Sequence, residues 1–167
     1  MQPLPTEKSI SALNIPHSSI VFDLHRVTEI RAELLGGNGV AVESVRHADI
    51  VSFTCLKAFA FDQRFERKDA HDLAYCIEHA PEGPDAVVAA FGRALSGKHA
   101  GVVREALDIL RQRFADDEAT EGYRKDGPVS VAKFELGESD ETGLREARAL
   151  RQRVVSDVIG RLLAGIG

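Results

Sequence analysis

Apolar and polar positions along the chain change their period three times. Across residues 1–18 no period holds: Pro3, Pro5 and Pro16 interrupt it, and the stretch reads as an irregular arm. Val27 to Leu34 (VTEIRAEL) then alternates apolar and polar, the signature of a half-buried strand. Gly36-Gly37-Asn38-Gly39 follows, and after it a second extended run, Val40 to Val45. Glycine and asparagine accept positive φ at little cost, so residues 19–46 are expected to form an antiparallel hairpin. A glycine-rich tetrad also cradles phosphate when a helix N-terminus follows directly, but here a strand follows.

From residue 47 to 115 the spacing is helical. Ile50, Phe53, Thr54, Leu56, Ala60 and Phe61 recur through a helix from Ala48 to about Gln63, with Asp49 placed to cap its start. A connection around Phe65 leads to a second helix, Lys68 to His79, striped by Leu73, Cys76 and Ile77 and stopped by Pro81-Glu82-Gly83-Pro84. Asp85–Leu95 and Val102–Phe114 read as two more helices. Residues 116–128 are polar and hold Gly122, Gly127 and Pro128, a loop; Val129–Leu136 alternates weakly and reads as an edge strand. Thr142–Leu163 is a long amphipathic helix with Leu144, Ala147, Leu150, Val154, Val158 and Leu162 in line. The fold class is therefore α+β, a mostly helical bundle with a small antiparallel β-hairpin packed beside it, and residues 19–167 form one domain.

Composition narrows the function. A chain of 167 residues buries roughly two thirds of its unfolded surface. The net charge of -5 and the absence of Trp argue against a duplex DNA face or a base-stacking platform. No apolar run approaches the ~18 residues of a membrane span and no leader pattern opens the chain, so the expected location is cytoplasmic. Cys55 and Cys76 both fall in apolar helical patterns, as buried reduced thiols do. The six histidines (His17, His25, His47, His71, His79 and His99) show no H-x-x-x-H spacing, there is no C-x-x-C pair, and no metal site is expected. A Cys76–His nucleophile fails because the thiol falls on an apolar stripe.

Chemistry concentrates in Leu56–Tyr75, LKAFAFDQRFERKDAHDLAY. Lys57 and Arg64 lie two helical turns apart on nearly one face; Asp69 and Asp72 share a face at the start of the next helix. A tight turn would bring the pairs together, with Arg67 and Lys68 close by. Two readings stand. In one, the four residues are inter-helix salt bridges, Arg64 to Asp72 and Lys57 to an aspartate, with Asp69 favoured by the helix dipole. In the other, lysine and arginine grip a triphosphate while a carboxylate holds a metal or takes a proton.

This run resembles a segment of the AbiEii/AbiGii-type nucleotidyltransferases, toxins of type IV toxin–antitoxin systems within the polymerase-beta-like nucleotidyltransferase superfamily. The shared pattern is a lysine on one helix, an arginine two turns later, and K-D-x-x-D-L opening the next helix, all behind a strand hairpin. Residues 19–80 carry it. The resemblance implies that Lys57 binds the nucleotide phosphates, with Arg64 in support, and that Asp69 or Asp72 is the accessory catalytic carboxylate. It also implies a cognate antitoxin or companion chain and a tRNA acceptor as partners.

One departure stands against it. The superfamily binds its metals through a Gly-Ser turn and a D-x-D or D-x-E pair, upstream of the lysine. This chain has no Gly-Ser dipeptide, and its only D-x-E spacing, in Asp116-Asp117-Glu118, lies downstream. The expectation is the later part of such a fold, truncated or split, without the metal-binding half and inactive alone. Mg²⁺ and a nucleoside triphosphate would be cofactors only if the missing motif were supplied. Asp23 with Glu29 or Glu33 is the weaker substitute for that motif. The alternative is a non-catalytic module, antitoxin-like or a helical interaction domain, with a homodimer formed through the Thr142–Leu163 helix.

Overall fold

A computed structural model describes residues 3–4, 12–13 and 15–167. The arm expected over residues 1–18 falls largely outside the described residues; within it Pro3–Leu4 (β1) and Ala12–Leu13 (β2) pair antiparallel. Then come a short helix α1 (Ile20–Asp23), the strands β3 (His25–Glu33) and β4 (Val40–Ala48), and the helices α2 (Ile50–Arg64) and α3 (Arg67–Glu78). Helices α4 (Pro84–Leu95) and α5 (Ala100–Phe114), a 3₁₀ turn at Gly122–Arg124, and helices α6 (Asp126–Leu136) and α7 (Thr142–Ile166) complete the chain. The class is α+β and mostly helical, as the patterning requires.

One hydrophobic core joins α2 to α7. Phe61, Phe91, Phe114, Leu73, Leu110 and Ile159 are fully buried in it, and Ile20 of α1 reaches it from outside. Each side chain of this size stabilises the fold by roughly 1.5–3 kcal/mol on burial. The start of α2 is held as its sequence dictates: Asp49 Oδ1 accepts the Ser52 amide at 2.8 Å, a side-chain N-cap. The buried Ser52 hydroxyl donates to Leu24 O at 2.6 Å, tying the helix to the foot of β3.

The hairpin departs from the half-buried strands expected of it. β3 and β4 pair in register from His25↔Ala48 to Glu33↔Val40, and Gly36, Gly37 and Gly39 take the positive φ of the turn. Yet nearly every residue of both strands is exposed, so the ribbon stands off the bundle instead of packing beside it. It meets the bundle at its foot, where Arg26 Nη1 donates to Glu82, in the turn between α3 and α4, at 2.5 Å. Alternation marked the strands correctly, but helices α2 to α7 cover neither face of them.

The edge strand expected at Val129–Leu136 is helix α6. Gly127, Pro128, Val131 and Ala132 are its buried positions, a four-residue spacing that no strand produces. Pro128 sits in the first turn, where a missing amide is harmless. Gly127, the second residue of the helix, is where nothing larger fits: a Cβ there would lie 2.5 Å from the Phe114 ring. In α7 the buried face runs through Val155, Ser156, Ile159, Leu162 and Leu163 and is turned from the expected stripe. Leu150 and Val154 of that stripe are exposed.

Candidate functional site

The corner between α2 and α3 is two residues long. Phe65 closes α2 with a left-handed backbone (φ 55), its amide donating to Phe61 O at 2.8 Å, and Glu66 precedes the first residue of α3. A non-glycine residue in this conformation costs about 1 kcal/mol. The Phe65 side chain offsets that: its ring lies edge-on to Phe61 at 5.8 Å, and the Arg113 guanidinium sits 4.7 Å from its centre. The corner folds α3 back so that its first turns face Lys57 and Arg64.

All four residues singled out by spacing meet there. Lys57 Nζ donates to Asp69 Oδ1 at 3.0 Å and to Asp72 Oδ2 at 2.7 Å. Arg64 Nη2 donates to Asp69 Oδ2 at 2.5 Å, so arginine pairs with Asp69 and not with Asp72 as the spacing suggested. Lys68 Nζ adds a bond to Asp72 Oδ2 at 2.7 Å, one helical turn away. Asp69 is 3% exposed. A carboxylate so buried would be costly if unpaired, and it has a cation on each oxygen as well as a place in the first turn of α3.

The electrostatics follow from these contacts. Partial burial pulls the Lys57 ammonium down, but its bonds to Asp72 and Asp69 outweigh this and hold its pKa above the usual lysine value. Burial pushes Asp72 up, while its bonds to Lys57, Lys68 and His71 prevail and bring it down to about 2. Three cations, Lys57, Arg64 and Lys68, thus surround two carboxylates, a net surplus of one positive charge. Arg64 and Lys68 are more than half exposed and keep donors turned to solvent. A cavity of about 300 Å³ opens beside Lys57, Arg64 and Asp69, walled by Phe53, Phe59 and Ala60.

Spacing missed the continuation of this network. His71 lies between Asp72 (3.4 Å) and Glu135 of α6 (3.6 Å), with its ring 4.5 Å from Phe134. Arg151 of α7 grips Glu135 at 2.7 and 2.9 Å and Glu78 at 2.8 and 3.0 Å. Glu78 and Arg151 are 73 positions apart, and no local pattern announces such a pair.

The remaining candidates go elsewhere. Asp23 accepts from His99 Nε2 at 2.7 Å and Lys98 Nζ at 2.9 Å, and the His99 bond leads in lowering its pKa. Asp116 accepts the Gly122 amide, and Asp117 accepts the Ala119 and Thr120 amides and pairs with Lys125, so both carboxylates build their own loop. Among the described residues no group of three His, Cys, Asp or Glu side chains could hold a metal ion. Asp69 and Asp72 do not fit a Mg²⁺ either, because the space they face is filled by an ammonium and a guanidinium. No helix among the described residues is long and apolar enough to cross a membrane. Burial lifts the Cys55 thiol to about 12, as expected of a buried thiol; Cys76, expected to be buried too, is only half-buried, and that partial burial raises its pKa. No protein-family model, curated protein or solved structure matches the chain.

Proposed function

We propose that this is a nucleotidyltransferase-like protein of the AbiEii type, in which the Lys57 corner receives an anionic phosphate and no transfer occurs without a companion that brings metal-binding carboxylates. The observation that carries this reading is the charge surplus at the corner. Arg64 lines the cavity and holds donors outward, with Lys68 exposed on the far side of Asp72, and arginine donors of this kind suit phosphate oxygens. Lys57 then acts mainly as the anchor that bonds Asp69 and Asp72, keeps Asp72 ionised and, through Asp69, holds Arg64 aimed. The partners consistent with this reading are a cognate antitoxin or companion chain and a tRNA acceptor.

A second reading, a non-catalytic module, is favoured by one observation: the Lys57 ammonium already has both carboxylates. In that case the cluster is a clamp between α2 and α3 and binds nothing further.

Calorimetry with each nucleoside triphosphate, on the chain and on Arg64→Gln, separates the two. Binding in the micromolar to millimolar range that weakens roughly tenfold in Arg64→Gln supports the phosphate site, as loss of one charge-assisted contact predicts. Equal or absent binding in both proteins supports the clamp. Incubation with α-labelled triphosphates, Mg²⁺ or Mn²⁺ and total RNA and protein tests the rest. The expected result is no labelled acceptor, and label that vanishes in Lys57→Ala would overturn the claim of incompleteness.

A further inference from the structure

The ribbon of β3 and β4 is the largest feature that the Lys57 corner does not use. Val27, Ile30, Leu35, Val40, Val42 and Val45 are all exposed on it, Leu35 by 94%. An isolated two-stranded ribbon is marginal in water, and more strands make it stable. The Leu34 amide donates to Gly39 O at 2.9 Å, which fixes the phase of the ladder. Even-numbered residues of β3 therefore bond to β4, while Val27, Glu29, Arg31 and Glu33 turn their N–H and C=O groups outward. No proline or lysine blunts this edge.

We propose that the β3 edge pairs with the β3 edge of a second copy of this chain, forming a four-stranded antiparallel sheet about a two-fold axis at Ile30. Charge selects the partner and the register. Centred on Ile30, Glu29 faces Arg31 of the second copy, and Arg31 faces its Glu29, two opposite-charge pairs on one face. Ile30 meets Ile30 and Thr28 meets Ala32 on the other face. Four outward-turned pairs then exchange backbone hydrogen bonds along seven residues, 27 to 33.

The other registers are poorer. Centred on Thr28, seven residues overlap again, but Glu29 faces Val27 and Arg31 faces His25, so neither Glu–Arg pair forms. Centred on Glu29, two glutamates oppose each other; centred on Arg31, two arginines meet and Glu29 faces Glu33. Centring on Ala32 also sets Arg31 against Glu33, but it overlaps only three strand residues. The β4 edge offers no symmetric register that brings Arg46 to a glutamate. Like charges directly opposed destabilise a sheet, so these differences decide the pairing. Residues 25–48 carry Arg26, Arg31 and Arg46 against Glu29, Glu33 and Glu43, a balance with no attraction for a polyanion.

The test is sedimentation equilibrium of the full chain, Arg31→Glu, and the double variant Glu29→Arg with Arg31→Glu. All the altered side chains are exposed, and far-UV circular dichroism checks that helix content is kept. The chain is expected to dimerise, Arg31→Glu to weaken the dimer roughly tenfold or more, and the double variant, with its charges exchanged, to return within about threefold of the original. A monomer at all concentrations, a dimer indifferent to Arg31→Glu, or a double variant no better than the single one would each overturn the proposal.

Discussion

Asp72 shows how much one carboxylate can depend on its neighbours. Its ordinary pKa of 3.8 falls to about 2 in the folded chain despite the opposing push of burial. The group therefore binds fewer protons folded than unfolded between these values, and it stabilises the fold fully above pH 4. That stability is lost as the pH falls from about 4 through 2. Asp72→Asn is expected to lose roughly 1 kcal/mol at pH 7, with the deficit shrinking toward zero near pH 2. Urea unfolding at pH 7, 4 and 2.5 measures it; a deficit that stays constant with pH would show that the charge is not what the corner uses. Lys57 runs the other way: its raised pKa gives stability that is present below its ordinary value of 10.5 and fades only in stronger alkali.

Among the elements, those whose signals are local were legible in the sequence. The Asp49 cap and the glycine turn of the ribbon depend on residues a few positions apart, and the paired charges of the α2–α3 corner on residues at most 15 apart across one short turn; all form. Helix α6 was not legible, because Val129 and Val131 alternate as in a strand while Gly127 and Pro128 mimic a loop. What decides it is the Phe114 ring, a tertiary neighbour on α5 against which Gly127 is seated. Gly127→Ala would normally favour a helix, since Gly lowers helix propensity. Here it is expected to destabilise by about 1–3 kcal/mol, because a methyl group must displace the ring. Thermal unfolding checks the sign, and an unchanged or higher midpoint would show that the ring can give way.

At the scale of the whole molecule, the sequence says least. The bridge that Arg151 makes from Glu78 to Glu135 joins three helices, and each of its ends reads locally as an ordinary solvated charge. The corner around Lys57 was legible as a meeting of charges, but not its extension through His71 into α6. Nor does alternation say where a strand's apolar face goes: the same pattern serves a ribbon against its own bundle and one left for another chain. The charges of β3 do say something, because the order Glu29, Ile30, Arg31 is self-complementary across a two-fold axis at Ile30.

The two thiols allow the molecule's opening to be timed. Cys55 of α2 is sealed in the core, and Cys76 of α3 is half-buried a short way from the ribbon's foot. An aromatic disulfide reagent reaches Cys55 only when the surrounding chain parts, whereas Cys76 lines a surface cavity, so the pair are clocks set to different events. Cys76 is expected to react first, in the folded chain, and Cys55 only at the rate of complete unfolding. Mass spectrometry at increasing times would resolve a singly labelled species before a doubly labelled one. Simultaneous labelling would mean that both thiols become reachable in a single step, as α2 and α3 come apart together.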